Sequence, residues 1–142
     1  MLRTLSVALG LIFFVISNPL KSEEMNEKTR MAMTNFLYEL AECTIYFSII
    51  GEGKGNSGST IINKNYKKLG EEIGLATLRI SKAIGMKKEA LMAIMQRYSK
   101  EMGDQIDNDG INISILVEKH GVFCKGLVEN PEKRILYWLN RN

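Results

Sequence analysis

Residues 62–83 have the sequence INKNYKKLGEEIGLATLRISKA, and this stretch decides the fold class of the 142-residue chain. Its apolar positions recur at alternating intervals of four and three residues, which is the periodicity of an amphipathic α-helix. These positions are Ile62, Tyr66, Leu69, Ile73, Ala76, Ile80 and Ala83. The spacing predicts a helix that is capped by Ser59 or Thr60, runs to Ile84 and stops at Gly85.

Helical spacing also marks the segments on either side of this stretch. It predicts a first helix at about 25–50 and a third helix at about 87–106. The predicted inward residues are Phe36, Leu40, Cys43, Phe47 and Ile50 in the first helix, and Leu91, Met95, Tyr98 and Met102 in the third. The glycine-rich segment 51–58 should end the first helix and form a flexible connection to the second.

Two further helices are predicted in the C-terminal third of the chain. The sequence Asp107-Asn-Asp-Gly110 is a strong turn signal. A fourth helix should follow this turn, and its predicted inward residues are Ile113, Leu116, His120, Phe123, Cys124 and Leu127. Asn130 and Pro131 then begin a short terminal helix, because proline is favoured in the first turn.

The number and spacing of these segments predict the architecture. Amphipathic helices that are joined by short connections pack most simply as an antiparallel bundle. No stretch of β-branched residues bounded by turn signals indicates a sheet. We therefore predict an all-α fold: a small antiparallel four-helix bundle with a short C-terminal fifth helix, behind an N-terminal signal segment.

Residues 1–22 have the pattern of a secretory signal peptide. Arg3 is the short cationic start, residues 7–16 are the apolar run, and cleavage would follow Ser22. Cleavage after Ser17 is one alternative, and an uncleaved anchor is another. The apolar run is shorter than the roughly 20 residues of a membrane span, so we predict a cleaved signal and a periplasmic or secreted protein.

The mature part, residues 23–142, is long enough for one helical domain with one core. The leader holds two of the chain's 19 basic residues and none of its 16 acidic residues, so its removal lowers the formal net charge from +3 to +1. Nucleic-acid binders concentrate positive charge, and this balance predicts no nucleic-acid partner. Contact with a membrane is expected only through an uncleaved leader.

The chain contains two cysteines, Cys43 and Cys124. In an oxidising compartment such a pair is expected to form one disulfide, and both residues lie on inward faces of helices that are neighbours in an up-down bundle. The bridge would close a loop of about 81 residues and contribute on the order of 4.5 kcal/mol in the chain-entropy model. Two separate buried thiols are the alternative, and the absence of a Cys-x-x-Cys motif argues against a redox-active pair.

His120 is the one histidine of the chain and precedes Cys124 by one helical turn. A Cys-His couple can supply a nucleophile and a base, and Cys43 could add a third metal ligand. Disulfide formation removes both thiolates, so we predict no catalytic residue, no bound metal and no cofactor. A haem carrier with Met31 or Met33 and His120 as iron ligands remains the alternative, which keeps His120 as a possible ligand contact.

These observations favour a non-enzymatic protein that acts by binding a protein partner or as an accessory protein. Lys64, Lys67 and Lys68 form a cluster on the outer face of the second helix, which we interpret as a possible surface for an acidic partner. The alternative is a small-ligand or haem-binding bundle that uses its interior near His120. The sequence does not identify the partner.

Overall fold

Five α-helices make up nearly all of the chain that the computed structural model describes, which is residues 25–52 and 60–141. They are α1 (Glu27–Glu52), α2 (Thr60–Ala83), α3 (Lys88–Gln105), α4 (Ile113–Glu129) and α5 (Pro131–Arg141), with a 3-10 turn at Gly110–Asn112. The described residues include no strand, so the predicted all-α fold is confirmed. The predicted signal segment 1–22 and residues 53–58 of the glycine-rich segment lie outside this part of the chain.

Helix α1 is the centre of the structure, because it packs against each of the other four helices. Its buried residues occupy more than one face: Ala32, Phe36, Leu37, Glu39, Leu40, Ala41, Cys43, Thr44, Tyr46, Phe47 and Ile50. The predicted inward stripe of α1 is therefore only part of its buried surface. In a simple up-down bundle each helix has two close neighbours, whereas here the terminal helix α5 also packs on α1.

The most extensive helix contact is between α1 and α2, and glycines permit close approach there. A Cβ atom added at Gly51 would lie 2.5 Å from the backbone nitrogen of Lys67, and one added at Gly70 would lie 3.1 Å from the backbone nitrogen of Ser48. Residue numbers rise along α1 as they fall along α2, so the two helices are antiparallel. Gly51 lies in the last turn of α1, which ends at Glu52, close to the predicted end at about residue 50.

Buried hydroxyl groups lie at the same interface. Thr44 Oγ1 donates to the Leu40 carbonyl at 2.8 Å, Thr77 Oγ1 donates to the Ile73 carbonyl at 2.8 Å, and the two hydroxyl oxygens are 3.4 Å apart. Each threonine therefore satisfies its hydroxyl within its own helix, as buried polar groups require. Ala83, predicted to face inward from α2, is exposed.

The predicted end of the second helix is confirmed by a Schellman motif. Gly85 has a φ of 74°, in the left-handed region that favours glycine. The N–H of Met86 donates to the Ser81 carbonyl at 2.8 Å, and the N–H of Gly85 donates to the Lys82 carbonyl at 3.1 Å. These two bonds satisfy the carbonyls of the last turn of α2 and reverse the chain toward α3.

Cys43 and Cys124 form the expected disulfide between α1 and α4. Their sulfur atoms are 2.07 Å apart, their Cα atoms are 5.3 Å apart, and both residues are fully buried. The bridge joins positions separated by 81 residues in the sequence. It therefore fixes the position of α4 against the centre of α1 and restricts the unfolded chain over more than half its length.

Arg134 joins helix α5 to α1 through an ion pair with Glu39. Arg134 Nε donates to both carboxylate oxygens of Glu39, at 2.9 and 2.8 Å, and Glu39 is buried. The guanidinium group also lies over the rings of Phe123, Tyr137 and Trp138, at 5.5, 4.2 and 5.3 Å from their centroids. Glu39 needs this counter-charge, because an unpaired carboxylate at such a position is costly to bury.

The close contact at Gly51 predicts that replacing glycine with alanine changes the free energy of unfolding in opposite directions at two sites. We expect Gly51→Ala to lower the free energy of unfolding by about 1–3 kcal/mol, because its methyl group would collide with the backbone of Lys67. Gly126→Ala, in an open part of α4, should raise it by about 0.5–1 kcal/mol through helix propensity. Urea denaturation of both variants measures the difference, and equal effects would contradict the close contact.

Candidate functional site

His120 lies at a junction of three helices. The residue is only 8% exposed in α4. Its Nδ1 atom is 2.8 Å from Oε1 of Glu42 in α1, and its Nε2 atom is 3.1 Å from Oε1 of Gln105 in α3. The imidazole therefore links α1, α3 and α4 through two hydrogen bonds.

The sequence around Gln105 places its side chain at this junction. Gln105 is the last residue of α3 and is followed by Ile106, after which Asp107 and Asn108 adopt left-handed conformations, with φ of 53° and 54°. Asp109 Oδ1 then accepts a hydrogen bond of 3.0 Å from the Ile111 N–H and starts the 3-10 turn. The predicted turn at 107–110 is therefore confirmed, and it brings the end of α3 beside α4.

The hydrogen bonds of His120 with Glu42 and Gln105 can form in two protonation states of the imidazole. The Glu42 carboxylate accepts a hydrogen bond from the Nδ1–H of His120, which assigns one ring proton to that nitrogen. A glutamine amide can turn either its oxygen or its NH2 group toward Nε2, so Gln105 can accept from a charged ring or donate to a neutral one. The network thus satisfies His120 in either protonation state.

The catalytic and metal-binding hypotheses for His120 have little support in this arrangement. Both cysteine sulfurs are in the disulfide, so neither is a thiolate nucleophile. Within residues 25–52 and 60–141, no group of three or more His, Cys, Asp or Glu side chains is arranged to hold a metal ion. Met31 and Met33 lie about 14–17 Å along α1 from Glu42, so the structure does not bring them to His120.

A groove runs between α1, α2 and α4, one side chain away from His120. Its volume is about 460 Å³, and its walls are mainly apolar. Phe47 and Tyr66 stack along one wall with ring centroids 5.9 Å apart, and Tyr46 packs edge-on against Phe47 at 4.9 Å. The Tyr46 ring also lies 6.1 Å from the His120 ring. We call this space the aromatic groove.

Tyr46 brings a polar group to the aromatic groove. The residue is only 4% exposed, and no hydrogen bond engages its hydroxyl within the described part of the chain. Burial raises the pKa of Tyr46, and the neighbouring Tyr66 raises this pKa further. The group therefore stays protonated at neutral pH and can donate a hydrogen bond. Gly121 makes room for it, since a Cβ atom there would lie 2.9 Å from the Tyr46 hydroxyl oxygen.

The outer face of α4 exposes a cluster of apolar side chains. Val122 is 85% exposed, and Ile111, Ile115 and Val117 are exposed on the same segment. Val122 lines the aromatic groove on one side and a second groove of about 340 Å³ beside α5 on the other. We call Ile111, Ile115 and Val122 the α4 ridge, and Val122 is its member that stands between the two grooves.

The predicted lysine cluster is a separate surface. Lys64, Lys67 and Lys68 are all exposed on α2, and Lys68 Nζ lies 3.8 Å from Glu72. Successive helical residues turn by about 100°, so Lys64 and Lys68 lie on the opposite side of α2 from Tyr66 in the aromatic groove. The cluster and the groove cannot serve one small ligand together.

Two of these features were absent from the sequence-based interpretation. Tyr66 was identified as an inward residue, but Tyr46 was not, because it lies off the four-three seam of α1. Val122 also falls between the predicted inward residues of α4. The available signal was weak: a run of apolar residues around His120 that is wider than one buried helix face requires.

None of the described helices is both long enough and apolar enough to cross a bilayer. The chain matches no protein-family model, no curated protein and no solved structure. The functional interpretation below therefore depends on the geometry of the described residues.

The junction at His120 generates a stability prediction. We expect Gln105→Leu to lower the free energy of unfolding by about 1–3 kcal/mol, because it leaves a buried imidazole nitrogen without its partner. Gln96→Leu, at an exposed position of the same helix, is the matched control and should change stability by no more than about 0.5 kcal/mol. Urea denaturation compares the two, and equal losses would contradict a role of Gln105 in the network.

Proposed function

We propose that this chain is an exported, non-enzymatic helical protein that binds a protein partner through the α4 ridge. The observation that carries the proposal is the exposure of Val122, at 85%, between two grooves. Exposed apolar side chains grouped on one helix face are typical of interaction sites in soluble proteins, since solvating them is unfavourable. The inner face of α4 is already used by the core, so the ridge is a second apolar face of the same helix.

The geometry favours an amphipathic helix as the bound segment. Helices pack with side-chain ridges of one lying in the grooves of the other, and the α4 ridge has a groove on each side at Val122. Ile115 and Val122 are seven residues apart, as in the seam of a helix pair. Gly126 follows Val122 by one turn and has open space around it, which permits close approach.

Charged residues border this ridge with both signs. Glu118 and Lys119 are exposed beside it, and Lys125 Nζ lies 3.9 Å from Glu129. Such alternating charges select a partner with complementary mixed charges rather than a strongly acidic one. The lysine cluster on α2 is the competing surface, and it would select an acidic partner.

The environment of His120 supports a non-enzymatic role. Its two ring nitrogens face Glu42 and Gln105, and the neighbouring sulfurs are in a disulfide. Haem ligation by His120 would require one of these hydrogen bonds to break. The second candidate function, a small-ligand carrier, is favoured by the aromatic groove rather than by His120 itself.

Export is supported by the leader pattern of residues 1–22 and by a disulfide of the kind that oxidising compartments favour. Intact-mass spectrometry of the exported chain, alkylated without prior reduction, tests both parts. We expect a chain that begins near Glu23 with no alkylated cysteine. A mass that retains residues 1–22 would contradict cleavage, and two alkylated cysteines would contradict the bridge.

The partner surface is tested by measuring how much of the partner is recovered by the exported chain and by two variants of it. We expect the tagged exported chain to recover a discrete partner from envelope extract, and Val122→Asp to lose at least about nine-tenths of it, because a buried unpaired charge costs several kcal/mol. Leu75→Asp, at an exposed apolar position of α2, is the control and should recover the partner normally.

A different pattern of recovery would overturn this assignment. If Val122→Asp retains the partner and the combined Lys64→Glu, Lys67→Glu and Lys68→Glu variant loses it, the contact lies on the lysine cluster. Circular dichroism and thermal melting of each variant check that all remain folded, as expected for exposed positions.

A further inference from the structure

The aromatic groove contains polar groups that a protein-docking ridge does not require. We propose that it binds a small apolar molecule that carries one carboxylate, with the apolar part against the aromatic rings and the carboxylate at the hydroxyl of Tyr46. This inference stands on the groove itself and does not depend on the protein partner proposed for the α4 ridge.

The dimensions and walls of the groove suit a ligand of this class. Its volume of about 460 Å³ lies within the roughly 300–1,000 Å³ of small-molecule sites. Small-molecule sites are mostly apolar with a few placed polar groups, and here three contiguous rings form the apolar wall. Rings also bind flat or extended apolar groups with little loss of their own conformational freedom, since they have few rotatable bonds.

The carboxylate is indicated by the donors that the groove presents. Tyr46 is almost fully buried, yet its hydroxyl makes no hydrogen bond within the described residues. The hydroxyl is not among the buried polar atoms that lack a partner, so it is open to the groove and can donate to an acceptor that a ligand carries. Hydrogen bonds from a neutral donor to a charged acceptor are about twice as strong as those between neutral groups.

A cation at the rim supports an anionic acceptor. Lys125 lines the groove, and its side chain extends into solvent. Glu129 also lines the groove, and its Oε1 lies 3.9 Å from Lys125 Nζ, so the cation is paired with a carboxylate at the rim but keeps donors that a ligand can use. A carboxylate between Tyr46 and Lys125 would receive one donor from the floor and one from the rim.

The test uses 2-naphthoate and dodecanoate as an aryl and an acyl carboxylate, with 2-naphthalenemethanol and dodecanol as their neutral counterparts. Titration calorimetry of the exported chain should show saturable one-to-one binding of a carboxylate and about tenfold weaker binding of the matching alcohol. The carboxylate with the higher affinity identifies the ligand as aryl or acyl. If neither carboxylate saturates the chain, the proposal is wrong.

Two variants locate the bound carboxylate. Tyr46→Phe keeps the ring and removes the hydroxyl, and we expect it to weaken carboxylate binding about tenfold while leaving alcohol binding little changed. Lys125→Ala, at an exposed position, should weaken carboxylate binding several-fold at low salt and less at high salt. Tyr137→Phe is the control, since its hydroxyl contacts Arg141 on α5.

The outcome against the proposal is carboxylate binding that is unchanged in both Tyr46→Phe and Lys125→Ala, because the ligand would then lie elsewhere. Recovery of the protein partner by Tyr46→Phe is measured in parallel. If Tyr46→Phe recovers the partner normally but binds the carboxylate more weakly, the ligand site is separate from the α4 ridge. Loss of partner binding in Val122→Asp does not test the ligand site.

Discussion

The burial of α1 among all the other helices is the constraint on which the rest of the structure depends. Four different kinds of contact join α1 to other helices: backbone packing at Gly51, the disulfide at Cys43, the hydrogen bond of Glu42 with His120 and the ion pair of Glu39 with Arg134. Apolar packing alone is non-directional, so these specific contacts determine how each helix is placed against α1.

This arrangement explains why α4 carries the candidate sites. Its inner face is fixed to α1 by Cys124 and His120, and its outer face has no other helix to cover it in the described part of the chain. Gly121 lets Tyr46 approach the backbone of α4, which opens the aromatic groove beside Val122. One helix therefore provides an anchor to the core, a groove wall and an exposed ridge.

The number of helices, most of their bounds and the pairing of Cys43 with Cys124 could be predicted from the sequence. Helix periodicity and terminal signals such as Gly85 act over a few residues, so they can be recognised without the fold. Gly51 lies near the end of α1, as glycine often does, but it also permits the backbone of α2 to pack closely, which the sequence did not indicate. A local rule cannot distinguish these two uses of glycine.

The sequence by itself determined that the chain is helical, where its helices begin and end, and that one disulfide was available to join them. Only the tertiary structure decided that His120 meets Glu42 and Gln105, that Tyr46 faces a groove, and that Val122 stands exposed on a ridge. The reason is physical: helix formation depends on neighbours within about four residues, while these contacts join residues brought together by packing of separate helices.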